Sequence, residues 1–174
     1  MAIFQRCVLA ALILLLAWPI IAAAQNDVSP PVGKELELKA CGPKDKMPKY
    51  SFGVDKSQHP AGTPTADEGL IYMVKSTKLP FPFMVAVDAE WKGLNTNNSY
   101  FFFTLKPGEH YFCSTDGHGR RTVVLTVEAG KTYYLEQVTR SLGPGGISQD
   151  LVPIDDEEGK QKVANARLST WTVK

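Results

Sequence analysis

Residues 70–74, Leu-Ile-Tyr-Met-Val, form a continuous run of β-favouring residues. A run of this length and composition is typical of a buried strand. Further short runs follow it, separated by turn residues at intervals of about 8–12 residues. The strands predicted in this series are Phe83–Trp91, Tyr100–Leu105, Glu109–Ser114, Arg121–Glu128, Thr132–Val138 and Ile147–Ile154. About seven short strands spaced in this way predict an all-β sandwich or barrel.

One segment after these strands has the pattern of a helix. Residues 155–167 begin with four acidic residues and carry their basic residues toward the end, which is the charge order that a helix dipole favours. Gly159 weakens this prediction by about 1 kcal/mol. The spacing of the strands leaves no room for βαβ crossovers, which need long connections. We therefore expect one short C-terminal helix in an otherwise all-β domain.

The segment 25–68, ahead of the first predicted strand, is rich in proline and poor in aliphatic residues. Each proline removes a backbone donor, which is typical of irregular structure. One short strand, Glu35–Ala40, is predicted within it. Two alternatives remain open here: a flexible leader, or an extended strap that lies across the domain and is held through Cys41.

The first residues have the three parts of a secretory signal peptide. Arg6 supplies a positive charge, the apolar run Val8–Ile21 follows, and residues 22–24 are alanines that a signal peptidase accepts. The alternative is a retained membrane anchor. The apolar run falls short of the roughly 20 residues of a spanning helix unless the alanines are included, and Pro19 favours cleavage. The predicted organisation is a signal peptide at 1–24, the strap or leader at 25–68 and a β-sandwich domain at 69–174.

Cleavage predicts a periplasmic or secreted protein with no stable membrane insertion. Cys7 precedes the apolar run, so a lipid anchor is not predicted. Removing residues 1–24 leaves 18 of the 19 basic residues against 18 acidic residues. A formally neutral domain lacks the basic surface with which proteins displace counterions from nucleic acids. We therefore expect no nucleic-acid partner, and the composition favours no particular oligomeric state.

Two cysteines, Cys41 and Cys113, remain after cleavage. In an oxidising compartment an even number of cysteines indicates a disulfide. A bridge that closes a loop of this length stabilises by roughly 4 kcal/mol on the chain-entropy model. The alternatives are two free thiols or a catalytic cysteine. If Phe112 points into the core, Cys113 points away from it, toward a segment that covers the sheet.

Several motifs occur in an order and separation that resemble a known family. They are the strand at 70–75, Ser-Tyr-Phe at 99–101, Pro-Gly-Glu-His at 107–110, Glu-Ala-Gly-Lys-Thr-Tyr-Tyr at 128–134, and the acidic helix start at 155–160. Together they resemble a bacterial envelope family annotated only as a domain of unknown function. The resemblance covers about residues 69–167.

The resemblance implies a fold and a compartment. Members of the family are secreted proteins and lipoproteins with an immunoglobulin-like or carboxypeptidase-regulatory-like β-sandwich. This chain departs from them in two respects: Lys75 stands where the family often has arginine, and the lipid-anchoring cysteine is missing. The resemblance brings no catalytic residues.

The residues that could carry chemistry do not form a recognised motif. His59, His110 and His118 lack the short spacing of paired zinc ligands, and no serine lies in a nucleophile elbow. The carboxylates at 155–158 could act as a glycosidase pair, although a solvated acidic helix start is the plainer explanation. We expect no metal, no cofactor and no catalytic residue.

The aromatic run Tyr100-Phe101-Phe102-Phe103 is the other notable feature. Alternate residues of a strand face opposite sides, so two rings face the core and two face away. If nothing covers the outer pair, the run offers an apolar face to a partner; otherwise the strap or another strand hides it. The basic residues Lys75, Lys78, Arg120 and Arg121 could likewise form a patch or lie scattered.

Together these observations favour an exported, non-catalytic envelope module that binds a protein, a peptide or a glycan. Two alternatives remain: a small secreted hydrolase whose site is assembled from residues far apart in the sequence, and a structural spacer.

Overall fold

The computed structural model describes residues 33–57, 62–79, 81–141 and 147–174. The predicted signal peptide at 1–24 lies outside these residues. Two helices and ten strands, in addition to one 3-10 turn at Lys44–Lys46, occur in the described part. They are α1 (Lys34–Cys41), β1 (Tyr50–Asp55), β2 (Gly69–Lys75), β3 (Phe83–Val87), β4 (Glu90–Asn95), β5 (Ser99–Leu105), β6 (Gly108–Thr115), β7 (Arg120–Val127), β8 (Thr132–Ser141), β9 (Ile147–Ile154), α2 (Asp156–Asn165) and β10 (Arg167–Val173). No helix among these residues is long and apolar enough to cross a membrane.

The strands form two sheets, which confirms the predicted all-β sandwich. The larger sheet has the order β1-β10-β5-β2-β8-β9, and the smaller has the order β4-β3-β6-β7. Strand β2, which contains the apolar run at 70–74, is central: it pairs antiparallel with β5 and parallel with β8. All seven of its residues are buried, as predicted.

The core between the sheets is built from alternate residues of these strands. Met73, Phe101 and Leu135 from the larger sheet pack with Val85 and Phe112 from the smaller sheet. A second apolar cluster lies on the opposite face of the larger sheet, where Ala166 and Val163 near the end of α2 pack on aromatic rings. The larger sheet is therefore covered on both faces at its centre.

The predicted disulfide joins Cys41 to Cys113. Phe112 points into the core, while Cys113 lies in a separate cluster with Ala40, Cys41 and Ala86 on the outer face of the smaller sheet. The bridge therefore holds α1 against that sheet, as the alternation of side chains predicted. It closes a loop across 72 residues, which corresponds to about 4 kcal/mol of unfolded-state entropy.

The prediction of a strand at Glu35–Ala40 is wrong, because these residues belong to α1. Leu36 and Leu38 alternate with charged residues as in a strand, but the segment contains no β-branched residue and consists mainly of good helix formers. Glu35 and Lys39 form an ion pair one helical turn apart. The alternation of leucine with charged residues suggested a strand. The helix-forming composition of the segment, together with the packing of Ala40 and Cys41 on the sheet, outweighs that alternation.

The ten strands exceed the predicted seven for two reasons. The predicted strand Phe83–Trp91 is divided into β3 and β4 by a two-residue turn at Asp88 and Ala89, both with positive φ (51° and 66°). Positive φ at both turn residues is the geometry that fits a tight hairpin. In addition, β1 and β10 form a regular antiparallel pair from Tyr50↔Val173 to Asp55↔Leu168, and neither strand was predicted.

Candidate binding surface

Among the described residues, no histidine belongs to a group that could hold a metal ion. His110 lies between two acceptors: its Nδ1 is 2.6 Å from Asp88 Oδ2 and its Nε2 is 2.8 Å from the Lys106 carbonyl oxygen. His118 lies exposed in a hairpin tip, and His59 falls outside the described residues. No group of three histidine, cysteine, aspartate or glutamate side chains in the described ranges is arranged to hold a metal ion. His110 instead links the Asp88 turn to the loop before β6.

The acidic residues before and within α2 cap and pair the helix. Asp155 is the N-cap, and its Oδ1 accepts a hydrogen bond from the Glu158 amide at 2.8 Å. Lys162 bonds Glu136 on β8 at 2.8 Å and lies 3.3 Å from Glu158. Burial acts to lower the pKa of Lys162, but its bonds to these two carboxylates outweigh burial and raise it. These interactions explain the acidic cluster without a catalytic carboxylate pair.

A chain of buried polar side chains joins the two sheets. The Asn95 amide donates to the Met73 carbonyl at 2.9 Å and to Gln137 Oε1 at 3.0 Å. The Gln137 amide donates to Ser114 Oγ at 2.8 Å, and the Gln149 amide donates to the Gly119 carbonyl at 2.7 Å. Each of these three side-chain amides finds an acceptor in the fold, as buried polar groups require. The network links the larger sheet to the smaller one through hydrogen bonds.

Among the described basic groups, Lys75 has the pKa that is shifted furthest from its ordinary value. Its side chain is fully buried, and Nζ donates to the carbonyl oxygens of Leu79 at 2.8 Å and Phe81 at 2.6 Å. The amine also lies 4.4 Å from the centre of the Phe83 ring. Burial lowers the pKa of Lys75 to about 8, because no carboxylate compensates for the lost hydration. Through these two hydrogen bonds Lys75 holds the loop after β2 in place, and it is not part of a surface patch.

The other basic residues that could have formed a patch with Lys75 make separate contacts. Arg120 donates to the Gly42 carbonyl at 2.8 Å and lies 3.3 Å from Glu37, so it binds α1 to the sheet. Arg121 donates to the Arg120 carbonyl, and Lys78 is exposed elsewhere. Basic side chains that serve separate contacts do not form a joint binding site.

The rings of the aromatic run are covered by other parts of the chain. Phe101 and Phe103 belong to the core between the sheets, whereas Tyr100 and Phe102 lie in the cluster on the opposite face. Gly62 approaches the Phe102 ring so closely that an added Cβ would lie 2.8 Å from it. Of the rings considered as a partner face, Tyr100 and Phe101 are therefore buried, and Phe102 and Phe103 are partly buried within the fold.

The larger sheet has an apolar surface that extends past the smaller sheet. β4, the edge of the smaller sheet, packs against β5 and β10, so β1 projects beyond it. Tyr50, Phe52 and Val54 share this inner face with Trp171 and Val173 of β10, because partners in the register point the same way. We call these five residues the β1–β10 face.

The β1–β10 face is partly anchored in the core and partly open. The Trp171 ring meets the Phe101 ring edge-on, with centres 4.8 Å apart, and it packs on Gly93, where a Cβ would lie 2.4 Å away. Phe52 and Val173 retain 49% and 65% of their surface. A cleft of about 340 Å³ lies along the same strands, but four of its six lining residues, Ser51, Gly53, Thr170 and Thr172, alternate onto the opposite face of the sheet. Burial raises the pKa of Tyr50. The face thus presents the exposed Phe52 ring and Val173 side chain beside the partly buried rings of Tyr50 and Trp171.

The backbone along β1 adds unpaired hydrogen-bonding groups to this face. The Lys174 amide donates to the Lys49 carbonyl at 2.9 Å, which makes 49, 51, 53 and 55 the residues bonded to β10. In an antiparallel pair, the alternate residues direct their amide and carbonyl groups the other way. Tyr50, Phe52 and Val54 therefore point these groups away from β10, and no described strand pairs with them.

The edge along β1 also lacks three features that protect edge strands from pairing, namely a proline, a lysine and a bulge within the strand. β4 carries a register irregularity opposite Val85 and Ala86 and a lysine at 92, and β9 contains Pro153. Residues 50–55 contain no proline, lysine or bulge. The alternation Tyr-Ser-Phe-Gly-Val-Asp was the sequence signal for this strand, but the surrounding prolines favoured an irregular segment.

Comparison with known proteins identifies no family. No family model matches the chain. A curated relative, an uncharacterized protein from Haemophilus influenzae, is 25% identical over 84 residues. The match spans 48% of this chain and about half, 49%, of the relative. At this level the chain is similar to the Haemophilus protein over one half, and no activity follows from the similarity.

Proposed function

We propose that this chain is an exported, non-catalytic module of the bacterial envelope that acts by binding another polypeptide. Three observations support export: the pattern of residues 1–24, the disulfide between Cys41 and Cys113, which is typical of oxidising compartments, and the resemblance to an envelope family. The relative from Haemophilus influenzae is bacterial.

The observation that carries the proposal is the β1–β10 face beside an unpaired strand edge. Exposed aromatic residues favour contact with an apolar partner, and a free edge favours an extended polypeptide, which can add as a further strand. A glycan would stack on Phe52 and Trp171 but would leave the backbone groups of β1 without matching partners. These features together favour a polypeptide over a glycan.

The basic residues around the β1–β10 face indicate the charge that the partner carries. Lys49, Lys56 and Lys174 are exposed, and none of them has an ion-pair partner within the described ranges. An extended segment with alternating apolar side chains and a carboxylate at its end therefore complements this surface. Catalysis is not part of the proposal, because both nitrogens of His110 and the Lys75 amine are engaged within the fold.

Site-specific photo-crosslinking in intact cells tests this proposal. A photo-reactive phenylalanine analogue at Phe52 is expected to form an adduct whose crosslinked segment is identified by mass spectrometry as polypeptide. The same analogue at Val124, which is 40% exposed on β7 of the smaller sheet, serves as the matched control and is expected to give none. Adducts with carbohydrate alone, equal labelling at both positions, or no adduct at Phe52 would each contradict the proposal.

A further inference from the structure

We infer that the polypeptide bound at β1 is a second copy of this chain, paired antiparallel along β1 about a twofold axis at Phe52. This inference rests on the proposed function, since it names the partner of the same surface. It follows first from the hydrogen-bonding parity of the edge, by which we mean that alternate residues of β1 direct their backbone groups outward. It follows also from the order of charges along residues 49–55 and from the regular edge described above.

The parity of the edge restricts the register of such a pair. Tyr50, Phe52 and Val54 carry the outward backbone groups, so each must face one of these residues in the other copy. With Phe52 opposite Phe52, Tyr50 lies opposite Val54 on both sides of the axis. All three positions then form hydrogen-bonded pairs. A register shifted by one residue places outward groups opposite groups already bonded to β10, and it is excluded.

The side chains favour the same register. Continuing the pairing centred on Phe52 places Lys49 directly opposite Asp55 of the other copy, and the twofold axis repeats this pair. Opposite charges at directly facing positions stabilise a sheet. Within its own sheet, Lys49 faces Lys174 in the register that β1 shares with β10. A carboxylate from a second copy therefore relieves a like-charge contact.

Parity also allows the two neighbouring registers, and both are less favourable. Centring the pair on Ser51 matches Tyr50 with Phe52 but places Lys49 opposite Gly53 and Asp55 opposite Met47, so no opposite charges meet. Centring the pair on Gly53 places Tyr50 opposite Lys56 and Ser51 opposite Asp55. No opposite charges meet in this register, and the only apolar pair that it forms is Phe52 with Val54. The register centred on Phe52 matches Tyr50 with Val54 twice and aligns the two Phe52 rings. An isologous pair of this kind needs one self-complementary surface, and residues 49–55 provide it.

Pairing in this register has a structural consequence. The two six-stranded sheets join into one continuous sheet, and the two β1–β10 faces lie side by side on its inner surface. Phe52, which is half exposed in a single copy, then contacts its counterpart across the axis.

Charge-swap variants and sedimentation equilibrium of the disulfide-bonded protein test this inference. The wild type is expected to self-associate reversibly to a dimer. Lys49→Glu and Asp55→Lys each replace two attractions by two repulsions and are expected to weaken dimerisation at least tenfold, as an order of magnitude. The double variant Lys49→Glu with Asp55→Lys is expected to recover within about threefold of the wild type. Lys44→Glu changes the net charge by the same amount as Lys49→Glu, but at an exposed site outside β1, and serves as its control.

Three results would overturn the inference. A wild type that remains monomeric at millimolar concentration contradicts self-pairing; if Phe52 then crosslinks to a different polypeptide, the proposed function stands alone. A dimer that Lys49→Glu leaves unchanged contradicts pairing along β1. A double variant no stronger than the single variants contradicts the register.

Discussion

Replacing Gly159 by alanine is expected to lower the free energy of unfolding by about 2 kcal/mol, although alanine is the better helix former. Gly159 is buried where α2 crosses the larger sheet, and an added Cβ would lie 2.1 Å from Cγ of Tyr134. The Tyr134 ring cannot move away, because it stacks on Tyr72 with centres 5.1 Å apart. Overpacking of a rigid contact costs about 3 kcal/mol, of which improved helix propensity returns about 1 kcal/mol.

Thermal unfolding followed by circular dichroism measures this effect, with an expected fall in Tm of roughly 6 °C. Lys160→Ala, at the next and exposed position of α2, is the matched control and is expected to change stability by less than about 0.5 kcal/mol. Combining Gly159→Ala with Tyr134→Ala removes the contact from both sides, so the double variant should lose less than the sum of the single changes. A stabilised Gly159→Ala protein, or strictly additive losses, would show that α2 does not pack on Tyr134.

Raising the pH from 7 to 9.5 is expected to stabilise the protein by about 2 kcal/mol through Lys75 alone. Burial lowers the pKa of this amine from 10.5 in the unfolded chain to about 8 in the folded protein. Above pH 8 the folded state has therefore lost a proton that the unfolded chain still holds, so stability rises with pH. Below pH 8 both states are protonated, and the folded state carries the full cost of a buried charge.

Urea unfolding of the wild type and Lys75→Met across this pH range measures the contribution of Lys75. The methionine variant has a side chain of similar length without an ionisable group, so its stability is expected to lack the rise seen in the wild type. The range ends at pH 9.5 because buried tyrosines begin to oppose the effect at higher pH; burial raises the pKa of Tyr134 to about 12, with smaller effects of Asp156 and Tyr72. Parallel pH profiles for the two proteins would show that Lys75 is hydrated in the folded state.

The local patterns predicted the centre of this fold well. The uncharged run 70–74, the alternation of Phe112 and Cys113, and the charge order of 155–167 each depend on neighbours in the sequence, and the structure has β2, the disulfide and α2 where they were expected. These features could be derived because strand alternation and helix charge preferences act over a few residues.

The features that position the candidate surface depend on contacts distant in sequence. β1 forms a strand because it pairs with β10, at the opposite end of the described chain, and its short alternation was outweighed by the nearby prolines. Gly159 looked unfavourable for a helix, yet its place on the Tyr134 ring requires the missing Cβ. The buried state of Lys75 likewise depends on carbonyl groups of a loop that folds back over it. The local propensities of the sequence give no information about these long-range contacts.

The central claim, that a polypeptide pairs with the free edge of β1, is tested most directly by amide hydrogen exchange at Phe52. The Phe52 amide points away from β10, whereas the neighbouring Gly53 amide points toward it, so Gly53 serves as an internal control. Measured by NMR in dilute and concentrated samples, exchange at Phe52 is predicted to slow at high concentration while exchange at Gly53 stays the same. An exchange rate at Phe52 that stays fast at every concentration, and also in the presence of envelope proteins, would contradict the claim.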